Sequence, residues 1–467
     1  MIYANISVIF LLFSKNSCII QKKVLLLHLE MKMIDEKEIL RRRDMRDVLT
    51  FTIDPADAKD FDDAISFAHN DDGTYQIGIH IADVSHYVKP NTPIDDEAYK
   101  RGTSVYLVDR VIPMLPEELC NDLCSLRPNE DKLCMSVVFT MDSNAQVLKY
   151  KICRTVIRSD ARLNYRQAQD IIDRYQDGVI TLSLPMQVEV LCILNSLAKK
   201  LRAERIANGA LTIEQDEIHF RLDENKHPVE IYFEQPDDAH HLIEEFMLLA
   251  NKTVAKSVGS GRPFVYRVHD LPDSEKLDEI KKFKKRVALT KGRRANGQAL
   301  QRVVDMLTIR AQAKAVYSTY NIGHYGLAFS HYTHFTSPIR RYPDLMVHRL
   351  VEKYILTGKP ISLTREELED KCEHCSACEQ EAAQAERDSV KFFQAMWLKD
   401  HVGEILPGHI TSITDFGFFV QLDQSRCEGL VHMMTIEHPE DFVLGDPVTV
   451  QVVRVDVNKA QIDLELA

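Results

Sequence analysis

Apolar and polar positions alternate through the first third of the chain. Leu49-Thr50-Phe51-Thr52-Ile53 and Ala64-Ile65-Ser66-Phe67 read as two strands, and Tyr75, Ile77, Ile79 and Ile81 alternate in YQIGIHIADV. Asp71-Asp72-Gly73 before the third run carries turn chemistry and predicts a hairpin. Strands therefore dominate from about Leu49 to Val138. From Ala161 to about Lys399 the spacing becomes helical, with apolar faces in Val188 to Ile206 and His240 to Val258 and a highly charged helix over Arg365 to Val390. After Pro407-Gly408 short alternating runs return as HITSIT, GFFVQL, EGLVHM, PVTVQVVRVD and AQIDLEL, separated by turn residues.

Blocks of strands and helices followed by a purely alternating tail predict an α+β chain. A large mixed domain spans 38–399 and a small all-β barrel of OB type spans 401–467. In the barrel, Phe416, Phe419 and His432 either form an exposed platform for stacking bases or fill the interior. Residues 1–37 read as a poorly ordered extension. Its apolar run Val8 to Phe13 has no basic residue before it and is interrupted early by Lys15 and Asn16, a weak secretory signal. No other stretch approaches a membrane span, so a cytoplasmic protein with no membrane partner is expected.

With 467 residues, 45% hydrophobic and 27% charged, the composition is ordinary for a globular protein and excludes disordered and fibrous classes. The formal net charge of -12 argues against a uniformly basic nucleic-acid coat. Against it stands the run Lys281, Lys282, Lys284, Lys285, Arg286, Lys291, Arg293 and Arg294, readable as a solvated helix face or as a phosphate-contacting wall. Ten cysteines without a regular framework suit reduced thiols. Cys372, Cys375 and Cys378 have the C-x-x-C-x-x-C spacing of an iron-sulfur run, but no fourth cysteine follows closely. They are read as thiols on a helix face.

The densest chemistry lies in TIDPADAKDFDD, where Asp54, Asp57, Asp60, Asp62 and Asp63 fall within ten residues. So many carboxylates repel one another unless cations compensate them, and the strands on either side place them in a folded region. A calcium loop or a solvated turn is the alternative to a catalytic metal site. No glycine interrupts the cluster and no glutamate closes a twelve-residue loop, so the calcium-binding helix-loop-helix does not fit. Magnesium, which takes few carboxylates together with water and substrate phosphate, fits better.

Four segments then carry a resemblance: TIDPADAKDFDDAIS, IPMLPEELCNDLCSLRPNEDKL, HYTHFTSPIRRYPDLMVHRL and AERDSVKFF. Together they resemble the catalytic (RNB-type) domain of the ribonuclease II and ribonuclease R family, over roughly residues 38 to 467. The lead-in EKEILRRRDMRDVLTFTIDP and the form SPIRRYPD are closer to its bacterial ribonuclease R branch. The terminal barrel resembles that family's S1-type RNA-binding domain. What this implies is a magnesium-dependent, processive 3'-5' exoribonuclease. Such an enzyme hydrolyses single-stranded RNA to nucleoside 5'-monophosphates with two metal ions, manganese being an alternative metal, and works as a monomer.

The resemblance also implies roles. Asp54, Asp60, Asp62 and Asp63 match the catalytic acids, with Asp54, Asp60 and Asp63 as metal ligands and Asp62 the one whose loss hurts chemistry most. Asp57 matches nothing and reads as a turn residue. Tyr106 matches the aromatic that stacks on the terminal bases, Arg340 the arginine that grips the scissile phosphate, and Glu386 a glutamate near the active site. Arg341 is expected on another phosphate, within a loop bracketed by Pro338 and Pro343.

Three departures temper the implication. Ile213 stands where a second stacking phenylalanine is expected, which makes processivity uncertain. Fewer than fifty residues precede Leu49, so the family's cold-shock domains are missing and the chain reads as truncated or start-shifted. The barrel is short between His432 and Gly445 and no basic tail follows Leu466. Weaker RNA affinity with a shallower salt dependence is the expected consequence. Two other functions compete: an RNA-binding remnant with little or no activity, and a metal-dependent phosphodiesterase acting on DNA or small nucleotides.

Overall fold

The computed structural model describes residues 34–176, 186–212, 216–259, 261–273, 275–276, 278, 280–282, 297–359 and 362–467. Ile213 lies outside the described residues, as does the basic run apart from Lys281 and Lys282. Of the expected extension only 34–37 is described. Ile34 packs on the core, and Asp35 caps a single turn at Glu36–Ile39, its carboxylate accepting from the Lys37 N–H at 3.0 Å.

The N-terminal half folds around a seven-stranded mixed sheet. Its strands are β1 (Arg43–Asp44), β2 (Thr50–Asp54), β3 (Asp63–His69), β4 (Tyr75–Ala82), β7 (Asp131–Met141), β8 (Val147–Arg158) and β9 (Ala161–Asn164). The short pair β5 (Val105–Leu107) and β6 (Arg110–Ile112) stands apart. The spatial order is β1-β8-β7-β4-β3-β2-β9, with β1 on β8 and β9 on β2 parallel and every other pair antiparallel. The anticipated hairpin joins β3 to β4 through Asp71-Asp72-Gly73, with Gly73 at φ 79°.

β4 is central, so both its faces are buried, and alternation there separates an apolar face from a small and polar one. Ile77, Ile79 and Ile81 are fully buried in the core with Phe51, Ile53, Ile65 and Phe139, under the helix Asp238–Gly259. Each such side chain contributes roughly 1.5–3 kcal/mol. On the opposite face His80 reaches Ser66 on β3 and Ser136 on β7, each at 2.8 Å, so a buried imidazole is satisfied across three strands. Gly78 beside it is required by space: a Cβ there would stand 2.4 Å from Ser66 Oγ and 2.5 Å from His80 Nε2.

The helical half contains Met186–Ala207, Asp238–Gly259, Tyr342–Val351 and the 35-residue helix Arg365–Lys399, opened by a Thr364/Glu367 capping box. Cys372, Cys375 and Cys378 all lie on that last helix, as the helix-face reading expected, the first two buried, and the nine described cysteines are free thiols. The end of the helix runs into the closed five-stranded barrel, where Leu398 joins the barrel core and Gln394 Nε2 donates to Ser425 O at 3.3 Å. No described helix is long and apolar enough to cross a membrane.

Candidate active site

Asp54 ends β2 and Asp63 begins β3, and the loop 55–62 between them carries Asp57, Asp60 and Asp62. One serine from the LCSLRP segment shapes that loop. Ser125 Oγ accepts the Phe61 N–H at 3.0 Å and donates to Lys59 O at 2.7 Å, and Leu126 N–H returns to Phe61 O at 3.0 Å. Asp60 is thereby fixed between two tethered residues. Ala82 N–H donates to Asp62 O at 2.9 Å, which holds the other end on β4. Asp57 is exposed in the turn, as anticipated for a residue without a site role.

Burial pushes the carboxyls of Asp54, Asp60, Asp62 and Asp63 above the ordinary carboxylate range. Their mutual charge adds to it: Asp60 raises Asp54 and Asp62, and Asp54 raises Asp63. Arg340 lowers all four, which places its guanidinium among them.

Arg340 reaches the acids because its loop is clipped on two sides. Ile339 N–H donates to Asp62 Oδ1 at 2.8 Å, and Arg340 Nε lies 3.4 Å from Asp62 Oδ2. On the other side Ser104 N–H donates to Arg340 O and Tyr342 N–H to Gly102 O, both at 2.9 Å. Gly102 sits at φ 68°, and a Cβ there would stand 2.5 Å from Cys378 Cβ, so the clip needs glycine.

Arg341 corrects the expectation of a second phosphate contact. Its Nε and Nη2 form a bidentate pair with fully buried Asp344 at 2.9 and 2.8 Å, and Asp344 Oδ1 also accepts the Ser337 N–H at 2.8 Å. A fork closed on a buried carboxylate is not free for an anion; it holds the loop that presents Arg340.

Tyr106 stands on β5, 41% accessible overall but with its phenol crowded beside the acids: Asp60, Asp62 and Arg340 all act on it, and the local desolvation raises it. Glu386 is placed under it. Its Oε1 accepts the Tyr106 N–H at 3.0 Å, while Ser389 Oγ, one turn on, accepts the Val108 N–H at 3.1 Å. Glu386 is thus tied to the β5 backbone, and burial raises its carboxyl.

Pattern alone missed three residues. Arg162 on β9 donates to Pro55 O at 2.7 Å and Ala56 O at 2.8 Å, bracing the acid loop, and lies over the Phe61 ring at 5.4 Å. Tyr165 is acted on by Asp63 and Asp54, and its ring stacks on His240 at 3.9 Å and 12°. His240 is itself held by Asp237, Nδ1 to Oδ1 2.6 Å. No local signal marks them, because the parallel register of β9 on β2, Asp54 opposite Asn164, is what brings the segment alongside the acids.

Among the described residues no three His, Cys, Asp or Glu side chains close around one point as a ready-made metal cage. The donor set nevertheless fits a hard divalent cation. Asp54 Oδ2 is buried without a hydrogen-bond partner, and every candidate ligand is a carboxylate oxygen.

On the barrel, the aromatics divide between the core and the outside, Phe416 standing in the turn before the strand Gly417–Leu422. Phe418 points inward and is buried against Phe442 at 5.4 Å, whereas Phe416 is 56% exposed and meets partly exposed Phe419 edge-on at 6.0 Å. His432 pairs with Gly417 across the neighbouring strand and is also exposed, so the three anticipated residues lie together on the outside.

Residues 42–357 match the RNB domain and residues 399–467 the S1 RNA binding domain. The chain is 40% identical to Ribonuclease R of Aquifex aeolicus and 38% identical to that of Thermotoga maritima, covering 93% of this chain and 66% of each relative. Against Ribonuclease R of Escherichia coli it is 35% identical over 93% of the chain and 58% of the relative. The chain therefore spans about 58–66% of the length of these relatives. Among solved structures it is similar to Mycoplasma genitalium RNase R in complex with ribose methylated single-stranded RNA, with TM-score 0.84, 27% identity, and coverage of 95% of this chain and 75% of that one. It shares the fold alone with yeast Ssd1, a pseudonuclease, with TM-score 0.68, 20% identity, and coverage of 86% of this chain and 51% of that one.

Proposed function

The chain belongs to the ribonuclease II and ribonuclease R family of RNB-domain proteins, and from that premise we propose that it is a 3'-5' exoribonuclease that removes nucleoside 5'-monophosphates from single-stranded RNA. The observation that carries this reading is Arg340 set among four buried or half-buried aspartates, 3.4 Å from Asp62. An arginine fork beside acids that need cations is an arrangement built for a phosphodiester.

In this reading Arg340 grips the scissile phosphate and Tyr106 stacks on the terminal base. A divalent cation, Mg2+ or Mn2+, would be held by Asp54, Asp60 and Asp63 and would supply charge neutralisation and a more acidic water. Asp62 would take the proton of the attacking water, a role suited to a carboxylate whose proton affinity burial has raised. Water oxygen attacks phosphorus, the bond to the 3' oxygen breaks, and the shortened RNA keeps a 3'-hydroxyl. Phe416, Phe419 and His432 offer the RNA a stacking face on the barrel. Free, mostly buried thiols suit the reducing cytoplasm, where we place the protein as a monomer.

The test incubates a 5'-labelled single-stranded RNA, and a matching DNA, with the protein with and without magnesium, beside an Asp62→Asn variant. Metal-dependent shortening of RNA from its 3' end, absent in the variant, supports the reading. RNA bound but intact in every lane makes the chain a binding protein, and equal degradation of DNA makes it a general phosphodiesterase.

A further inference from the structure

At the far end of the sheet, the β7–β8 hairpin, the second half of the Asp238–Gly259 helix and the loop 328–331 enclose a cavity of ≈ 460 Å³. Asp63 pairs with Ile81 and Ile81 with Met135, whereas the hairpin begins after Met141. Six residues of strand separate the two, roughly 20 Å. The cavity is thus distinct from the acid site.

Two ammonium groups one helical turn apart, Lys252 and Lys256, enter this cavity, with His331, Tyr150 and Phe329 around them. Glu204 is the one carboxylate among its lining residues. An adjoining recess of ≈ 110 Å³ adds Arg205 and Glu245, but these are closed on each other at 3.0 Å. Among the described residues neither lysine has an ion-pair partner. Lys252 Nζ instead stands over the Phe329 ring at 5.3 Å, and burial lowers its basicity. Phe329 is held there by Ala328, in the left-handed region at φ 56°, and by its carbonyl, which accepts the His324 N–H at 2.8 Å. Glu204 and Glu245 act on Lys252 from beyond ion-pair distance, and two neighbouring ammonium groups, one half-buried over an aromatic ring, leave a position that an anion would offset more directly.

We propose that this cavity binds a nucleotide, its phosphate on Lys252 and Lys256 and its base against the aromatic wall of Tyr150 and Phe329. The volume lies within the roughly 300–1,000 Å³ of small-molecule sites. Stacking on aromatic rings beside cations is the chemistry that recognises any base with its phosphate. The nucleotide comes either free, as a nucleoside monophosphate, or as one unit of an RNA strand.

The experiment measures binding of AMP and, separately, of a twelve-nucleotide single-stranded RNA to the full chain in EDTA, so that it does not depend on catalysis. It compares the wild type with Lys252→Ala/Lys256→Ala, with the single reversal Lys256→Glu at the exposed mouth, and with Arg340→Ala. AMP affinity reduced tenfold or more by the lysine variants and kept by Arg340→Ala establishes the free-nucleotide source. If AMP does not bind but RNA affinity falls at least fivefold in the lysine variants, with a shallower salt dependence, the strand is the source. AMP and RNA affinities both unchanged in folded lysine variants overturn the proposal.

Discussion

Arg340 Nε lies 3.4 Å from Asp62 Oδ2 while the Ile339 N–H binds Asp62 Oδ1 at 2.8 Å, so one aspartate holds both the arginine and the backbone that carries it. Asp62→Asn keeps an oxygen for Ile339 but removes the charge and the proton acceptor. A fall in kcat of about 10²–10⁴ is expected for a lost acid-base group. The melting temperature should hold or rise, because the amide is spared the desolvation and the repulsion from Asp60 and Asp63 that the buried carboxylate meets. Nucleotide release and a thermal melt on the same preparation check both, and a kcat within threefold of wild type would remove Asp62 from the chemistry.

Glu386 is expected to act through Tyr106. Glu386→Gln retains an oxygen for the Tyr106 N–H and should behave nearly as wild type. Glu386→Ala leaves that N–H unpaired and frees β5, which should raise KM by about 1–2 kcal/mol, roughly 5- to 30-fold, with kcat little changed. Equal loss of kcat in both variants would make the charge itself catalytic.

In the barrel, neighbouring aromatics should separate binding from folding. Phe416→Ala removes an exposed ring and should weaken RNA binding by about 1–3 kcal/mol without changing the melt. Phe418→Ala empties the barrel core and should destabilise it by about 3–5 kcal/mol. The reverse ranking on RNA affinity and unfolding would place the binding face elsewhere.

Local patterns made part of this site legible. Period-two alternation located β2 and β3, and with them the aspartates at their facing ends, and parity along Gly417–Leu422 is enough to put Phe418 inside and Phe419 outside. The pairing of Arg341 was not legible, since RR in SPIRRYPD looks like two equal cations until Asp344 folds back on the second. Nor were Arg162, which reaches the acid loop only through the position of β9, and His240, which stacks on Tyr165 only through the start of the helix Asp238–Gly259. Those placements are set by packing across the whole core, which no short window contains.

His80 gives the fold a pH dependence whose sign follows from its burial. Desolvation lowers its imidazole from the ordinary 6.5 to about 3 while both ring nitrogens are engaged by Ser66 and Ser136. Between those values the unfolded chain binds a proton that the native state does not, so stability is complete above pH 6.5 and is lost as pH falls toward 3, by up to about 1.4 kcal/mol per pH unit. His324, also lowered to about 3 by burial, acts in the same direction. The raised carboxyls of Asp54, Asp60, Asp62 and Asp63 act in the opposite direction over this range, so the readout is the difference between two proteins. Urea midpoints at pH 7.5, 6.5, 5.5 and 4.5 should fall less, or rise more, with acidification in His80→Gln than in wild type, by about one proton's worth of slope below pH 6.5. Parallel curves for the two proteins would mean that His80 is charged in the native state, and the buried serine-histidine ladder would then need an anion that the sheet does not contain.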